Sequence, residues 1–202
     1  MIAIIDYGVG NLFSLTQSLK KIGADSVITS DIQEIEKADK LILPGVGAFG
    51  DAAEKLKESG LDKLIKKQCA KGKPLLGICL GMQLLFEKSY EYGEHEGLSL
   101  IKGKILPLKD YVKGLKIPHM GWNSLKISDD NPLFCNIKNG DYVYFVHSFF
   151  AKCEEGLSAT ANYGFDVTAA VRKGNIYGVQ FHPEKSGATG LNILKAFNGL
   201  KV

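Results

Sequence analysis

The chain predicts an α/β fold: a mostly parallel central sheet flanked by helices, with an appended antiparallel part. Three observations predict it. Over the first 86 residues short apolar runs alternate with stretches of helical periodicity, the pattern of βα units feeding a parallel sheet. One such unit, PLLGICLGMQLLF at residues 74–86, passes from an apolar run through Gly77, Cys79 and Gly81 straight into a second apolar run. From Leu98 onward the pattern becomes short alternating segments broken by turn residues, which reads as hairpins. A length of 202 residues makes a single domain over 1–202 the simplest division, and 45% hydrophobic with 23% charged residues is ordinary globular composition.

Ile2–Ile5 is a β-branched run suited to a strand covered on both faces. Residues 12–22 are expected to be helical, with Leu12, Leu15, Leu19 and Ile22 at threes and fours, Lys20 and Lys21 in the last turn and Gly23 as the stop. The intervening GVGN is a poor dinucleotide fingerprint, because Phe13 stands where a third glycine belongs. Ser26–Thr29 and Lys40–Leu43 follow as strands around a short helix at 32–38. PGVGAFG at 44–50 holds three glycines in seven residues and can turn N–H groups outward. A phosphate cradle would require Gly-Lys-Ser or Gly-Lys-Thr, but Asp51 follows Gly50; half of an oxyanion hole fits better. Helices at 52–58 and Leu61–Ala70 lead back to the Cys79 strand. Residues 89–97 read as a polar surface loop with His95 solvated. IPHMGWN, at 117–123, holds the one tryptophan, either a core residue or an exposed anchor for a partner. YVYFVHSFF, at 142–150, is strand-like throughout, with His147 as a satisfied core histidine. A hairpin of 167–171 and 176–181 ends in His182-Pro183-Glu184, and 192–200 closes the chain as a helix.

The chemistry converges on two stretches. Strand, tight turn and helix around Cys79 form a nucleophile elbow with sulfur in place of a hydroxyl. The flanking glycines suit its strained backbone, the helix N-terminus favours a thiolate, and the Leu80 N–H can face a developing oxyanion. A buried structural cysteine is the competing reading. Far along the chain, His182 and Glu184 at i and i+2 of an extended segment would point the same way, giving a base and the carboxylate that orients it. The other cysteines, Cys69, Cys135 and Cys153, have no ligand or disulfide spacing, so neither zinc nor a disulfide scaffold is expected, and no cofactor. A net charge of +3 without a basic cluster gives no footprint for nucleic acid. No apolar run reaches membrane-spanning length. MIAIIDYG reads as a first strand rather than a signal peptide, which places the chain in the cytoplasm.

GICLGMQLLF and QFHPEKSG together resemble the class I, triad-type glutamine amidotransferases. MIAIIDYGVGN, LPGVGAFG, GLSLIKGKI, IPHMGWN, YFVHSF and VRKGNIYGVQFHPEKSG extend the likeness over nearly the whole length, toward the glutaminase subunits of the imidazole glycerol phosphate synthases. The resemblance implies a triad of Cys79, His182 and Glu184, a γ-glutamyl thioester on Cys79, and glutamine held by Gln83, the backbone around Gly47 and the Ser148–Phe149 segment. It implies a cyclase subunit as partner in a heterodimer, facing Met120, Trp122, Asn123 and Lys185, with ammonia passed on for histidine biosynthesis. Phe149 departs from the tyrosine that the family often carries, which puts a hydroxyl contact there in doubt. A paralogue feeding surface-sugar amidation, and a non-catalytic partner-binding scaffold, are the rival readings.

Overall fold

The computed structural model describes residues 1–201. Its first half is wound as the periodicity predicts: β1 (Ile2–Ile5), α1 (Leu12–Lys21), β2 (Ser26–Thr29), α2 (Ile32–Lys37), β3 (Lys40–Leu43), α3 (Phe49–Glu58), α4 (Leu61–Ala70), β4 (Leu75–Ile78) and α5 (Leu80–Gln83). The second half holds β5 (Lys88–Ser89), β6 (His95–Glu96), β7 (Gly103–Pro107), β8 (His119–Ser124), β9 (Lys126–Ile127), β10 (Tyr142–His147), β11 (Phe149–Cys153), β12 (Leu157–Asn162), β13 (Asp166–Lys173), β14 (Ile176–Val179) and α6 (Gly187–Asn198). An eight-stranded sheet runs β2-β1-β3-β4-β14-β13-β12-β9. The five strands from β2 to β14 are parallel, and β13, β12 and β9 continue the sheet antiparallel. β8 and β10 pair as a separate ribbon, and β11-β7-β5-β6 form a third sheet.

The alternation of β1 explains why the sheet is covered on both sides. Ala3 and Ile5 join one core with Leu41, Leu43, Phe49, Leu56 and Ile65, while Ile2 and Ile4 join the other with Leu15, Leu19, Ile193 and Phe197. α3 and α4 therefore cover one face, and α1 and α6 the other. Among the described residues no helix is long and apolar enough to cross a membrane.

Several expectations need correction. The helix after Cys79 is only Leu80–Gln83, because Leu84, Leu85 and Phe86 turn into the core to pack rather than to prolong it. α3 starts at Phe49, whose N–H is met by the Glu91 carboxylate, so residues 89–97 are no free surface loop: Glu91 is buried and His95 forms β6 against Gly50. The 142–150 run is two strands that part at Ser148, pairing with β8 and β7 respectively. β14 ends at Val179, and α6 begins at Gly187 instead of 192.

Candidate active site

Cys79 stands between β4 and α5 with φ 55° and ψ −111°, a conformation that costs a non-glycine residue on the order of 1–3 kcal/mol. The packing around it imposes this strain. A β-carbon on Gly81 would overlap the Leu43 carbonyl, and one on Gly77 would come within 2.6 Å of the Gly81 oxygen. Helix and strand can approach this closely only through two glycines, and the approach holds the intervening residue up at the C-terminal ends of β3, β4 and β14. The Cys79 N–H is tied to Val179 O at 2.8 Å. At the first position of α5 the Leu80 N–H has no acceptor within its helix.

His182 reaches the same point from the other side of β14. Its N–H donates to Tyr144 O at 2.9 Å, and its Nδ1 lies 2.8 Å from Glu184 Oε1. The juxtaposition does not come from an extended segment. His182 is extended, but Pro183 opens a 3-10 turn, Pro183–Lys185, that folds the Glu184 side chain back under the imidazole. Both side chains are buried, 3% and 4% exposed. Burial works to lower the His182 pKa; the Cys79 sulfur and the Glu184 carboxylate outweigh it and raise the imidazole to about 10. His182 Nε2 has no hydrogen-bond partner among the described residues. Cys79 therefore acts on the ring from close by, as a neighbouring sulfur and as a charge, while Nε2 itself stays covered.

Cys79 and His182 both line a cleft of about 310 Å³, together with Val46, Gly47, Leu80, Gln83, Glu91, Pro118, Val146, His147, Ser148 and Phe149. The cleft brings together Gly47, Leu80, Gln83, Ser148 and Phe149 with the Cys79 and His182 side chains. Gly47 has φ 97° and open space where a side chain would stand, so its loop presents bare backbone. A larger hollow of about 560 Å³ lies between α3, α4 and residues 94–98, but neither Cys79 nor His182 lines it. Size is a poor guide here, because the strained cysteine and the paired imidazole are in the smaller one.

Sequence reasoning missed two groups around Cys79 and the cleft. Glu91 looked like one carboxylate of an acidic loop, yet it lines the cleft and is buried with its carboxyl raised above the usual range, by desolvation first and against the Phe49 N–H that it accepts at 2.7 Å. Gln180, fully buried, places its amide nitrogen 3.8 Å from Cys79 Sγ; its position just before the Phe-His-Pro-Glu run was the available signal. Cys69 and Cys153 have thiols pushed up by burial, to about 12 and about 11.

The interface candidates divide by strand pleat. Met120 and Trp122 lie on the outer face of β8, 65% and 55% exposed, and Lys185 sits 5.8 Å from the ring of Tyr144, which itself packs edge-on to Trp122. Trp122 is thus the exposed of its two possible readings. Asn123 points the other way, half-buried, with its amide 3.2 Å from His119 Nε2 and 2.8 Å from Asn162 O.

Residues 3–198 match the family model described as glutamine amidotransferase class-I. The imidazole glycerol phosphate synthase subunit HisH of Caldanaerobacter subterraneus subsp. tengcongensis is 55% identical over 199 residues, covering 98% of this chain and 97% of that protein. The subunit of the same name from Bacillus licheniformis is 52% identical over 98% of this chain and 95% of its own. Among solved structures, one described as a glutamine amidotransferase superposes with a TM-score of 0.77 at 19% identity, over 99% of this chain and 100% of that one. The structure of PurLQS from Thermotoga maritima gives 0.74 at 20%, over 97% and 96%. These two structural likenesses speak for the fold.

Proposed function

The chain belongs to the class-I glutamine amidotransferase family, and we propose that it is the glutaminase of an imidazole glycerol phosphate synthase, hydrolysing glutamine on Cys79 and passing ammonia to a cyclase subunit in histidine biosynthesis. The observation that carries this reading is Cys79 at φ 55°, facing a buried imidazole whose Nε2 is unpartnered. Near-full-length identity above one half with HisH subunits supports the choice of partner and pathway.

In this reading Cys79 attacks the carboxamide carbon of glutamine. The oxyanion forms against the Leu80 N–H and the backbone around Gly47, donors worth about a hundred- to a thousandfold in rate apiece. His182, held protonated by its surroundings, gives its Nε2 proton to the departing ammonia. The resulting thioester is cleaved by water, with His182 now taking the proton and Glu184 keeping the imidazole aligned. Gln83 and the Ser148–Phe149 backbone grip the substrate, and the buried Glu91 carboxylate suits its α-ammonium group. Phe149 contributes a ring in place of a hydroxyl, its carbonyl being taken by His147 and Gln83.

The outer face of the β8/β10 ribbon, with Met120, Trp122, Tyr142 and Lys185, suits a docking partner: large exposed aromatic area beside a cation, next to the cleft mouth at Pro118 and Val146. In the reconstituted complex, Cys79→Ala is expected to abolish glutamine-driven synthesis and spare synthesis from free ammonium. Substantial glutaminase activity left in Cys79→Ala would overturn the reading.

A further inference from the structure

A chain of hydrogen bonds leaves the inner face of β8 and ends on the nucleophile. Asn123 Nδ2 is 3.2 Å from His119 Nε2, and His119 Nδ1 is 3.0 Å from His147 Nε2. His147 Nδ1 is 2.8 Å from Phe149 O. That carbonyl also accepts from Gln83 Nε2 at 3.1 Å, and the same Gln83 amide donates to Gln180 Oε1 at 2.9 Å. Gln180 Nε2 then donates to Cys79 Sγ at 3.8 Å.

Chemistry fixes the polarity of every link. The Phe149 carbonyl can only accept, so His147 Nδ1 carries the hydrogen; in a neutral ring Nε2 is then an acceptor, His119 Nδ1 must donate to it, and His119 Nε2 is left to accept from Asn123. Burial keeps both rings neutral, driving His147 down to about 3 and His119 to about 4. The carboxamides are fixed the same way. Gln83 faces the Phe149 oxygen with its NH₂, and the remaining contact requires Gln180 to present its oxygen to Gln83 and therefore its NH₂ to the sulfur. An uncharged amide aimed at sulfur stabilises the thiolate without competing for the proton that His182 must handle.

Resting on the assignment of Cys79 as nucleophile, we infer that Gln180 is a further catalytic residue, donating a hydrogen bond to the Cys79 sulfur. Gln83, His147, His119 and Asn123 are positioning residues that aim it from the strand carrying Met120 and Trp122. Strand pleat makes this possible, because β8 shows its docking residues to one side and His119 and Asn123 to the other. His119 is clamped between the rings of Phe145 and Tyr163, at 4.7 and 4.1 Å between centroids, so the links cannot swing freely.

The test is alkylation of the full chain with iodoacetamide from neutral to alkaline pH, read at the Cys79 peptide by mass spectrometry because Cys135 is exposed and also reacts. Gln180→Leu is expected to slow Cys79 labelling about tenfold at neutral pH, the value of a modest hydrogen bond to a charged group, and the deficit closes as the pH rises and the thiolate forms in both proteins. Gln180→Met, unbranched and close to glutamine in length, gives the same comparison if the leucine variant does not fold. His119→Phe keeps a ring in the clamp and donates nothing to His147; about a threefold slowing is expected. Wild-type rates in both Gln180 variants, or a deficit of constant size at every pH, would overturn the role of Gln180. A wild-type rate in His119→Phe would detach the chain from the sulfur. Failure of the underlying nucleophile assignment looks different: Cys79 in the wild type would then label no faster than Cys135, and Cys79→Ala would still hydrolyse glutamine.

Discussion

The parallel half of the sheet and the β8/β10 ribbon with its neighbours treat glycine and histidine in opposite ways. Around β4, Gly77 and Gly81 are pressed against backbone with no room for a β-carbon; on the ribbon, Gly121 at φ 126° and nearby Gly140 at φ 91° have open space beside them. Next to β4 and β14 the buried His182 is raised to about 10 by Cys79 and Glu184 acting against burial, whereas His119 and His147 on the ribbon are pushed down by burial. The first region holds backbone strain and a charged pair. The second spends buried, neutral hydrogen bonds on shape, and offers its other face outward.

The glycine contrast gives the largest expected effect. Gly81→Ala forces a methyl into the Leu43 carbonyl, where backbone meets backbone and nothing can yield, and soluble folded protein is not expected. Gly140→Ala meets no atom and carries only the strain of a positive φ, about 1–2 kcal/mol. Soluble yield of Gly81→Ala and urea titration of Gly140→Ala check the two; a Gly81→Ala chain as soluble and as stable as Gly140→Ala would break the contrast.

Within the proposed triad, His182→Ala is expected to cost about a hundred- to ten-thousandfold in glutamine turnover, and Glu184→Gln less, because in that reading the base moves the proton and the carboxylate only aligns it. Rates of thioester formation for the two variants check the order, and a larger loss in Glu184→Gln would reverse it.

The histidines predict opposite pH limbs. His182 is raised from 6.5 to about 10, so its stabilisation is complete below about pH 6.5 and is lost as the pH climbs toward 10. His119 and His147 are lowered from 6.5 to about 4 and about 3, so the unfolded chain takes up protons that the folded one refuses and stability falls as the pH drops below 6.5. Unfolding free energies across pH 4–10 should show His182→Ala flattening the alkaline limb and His119→Phe the acid one. An unchanged acid limb in His119→Phe would contradict the neutral-pair account.

The smallest of these effects concerns docking. Trp122→Ala is expected to weaken binding to the cyclase by at least about 2 kcal/mol, as truncated aromatic anchors do, without moving the stability of the isolated chain beyond about 0.5 kcal/mol. Calorimetric binding and thermal unfolding together check it. Lost stability with normal binding would return Trp122 to the core.

The same division explains what the sequence made legible. β1, β3, β4 and α4 fall where the periodicity places them, because a strand buried on both faces and a helix with an apolar stripe write their pattern locally; the half-buried edge strand β2 falls in place as well. The elbow is legible for the same reason: Gly77, Cys79 and Gly81 lie within five residues. Past Leu98 the pattern alone could not say that Ser148 divides one apolar run into two strands, since the division is made by partners far away, β8 for one and β7 for the other. Nor could it orient Asn123, whose direction follows from the register of β8 on β10. Glu91 was hidden because its burial comes from the N-terminus of α3, 42 residues earlier. The extended geometry read into His182 and Glu184 gave the right neighbours by the wrong path, a proline-led turn doing what a strand was expected to do.

Cys79 as the acylated residue is the claim on which the rest depends. Acid quenching of the chain during turnover of glutamine in the cyclase complex, followed by peptide mapping, measures it directly. A γ-glutamyl adduct on the peptide carrying Cys79, absent from Cys79→Ala, is the expected result. Turnover that proceeds with no adduct on that peptide, or with the adduct on Cys69, Cys135 or Cys153, would contradict it.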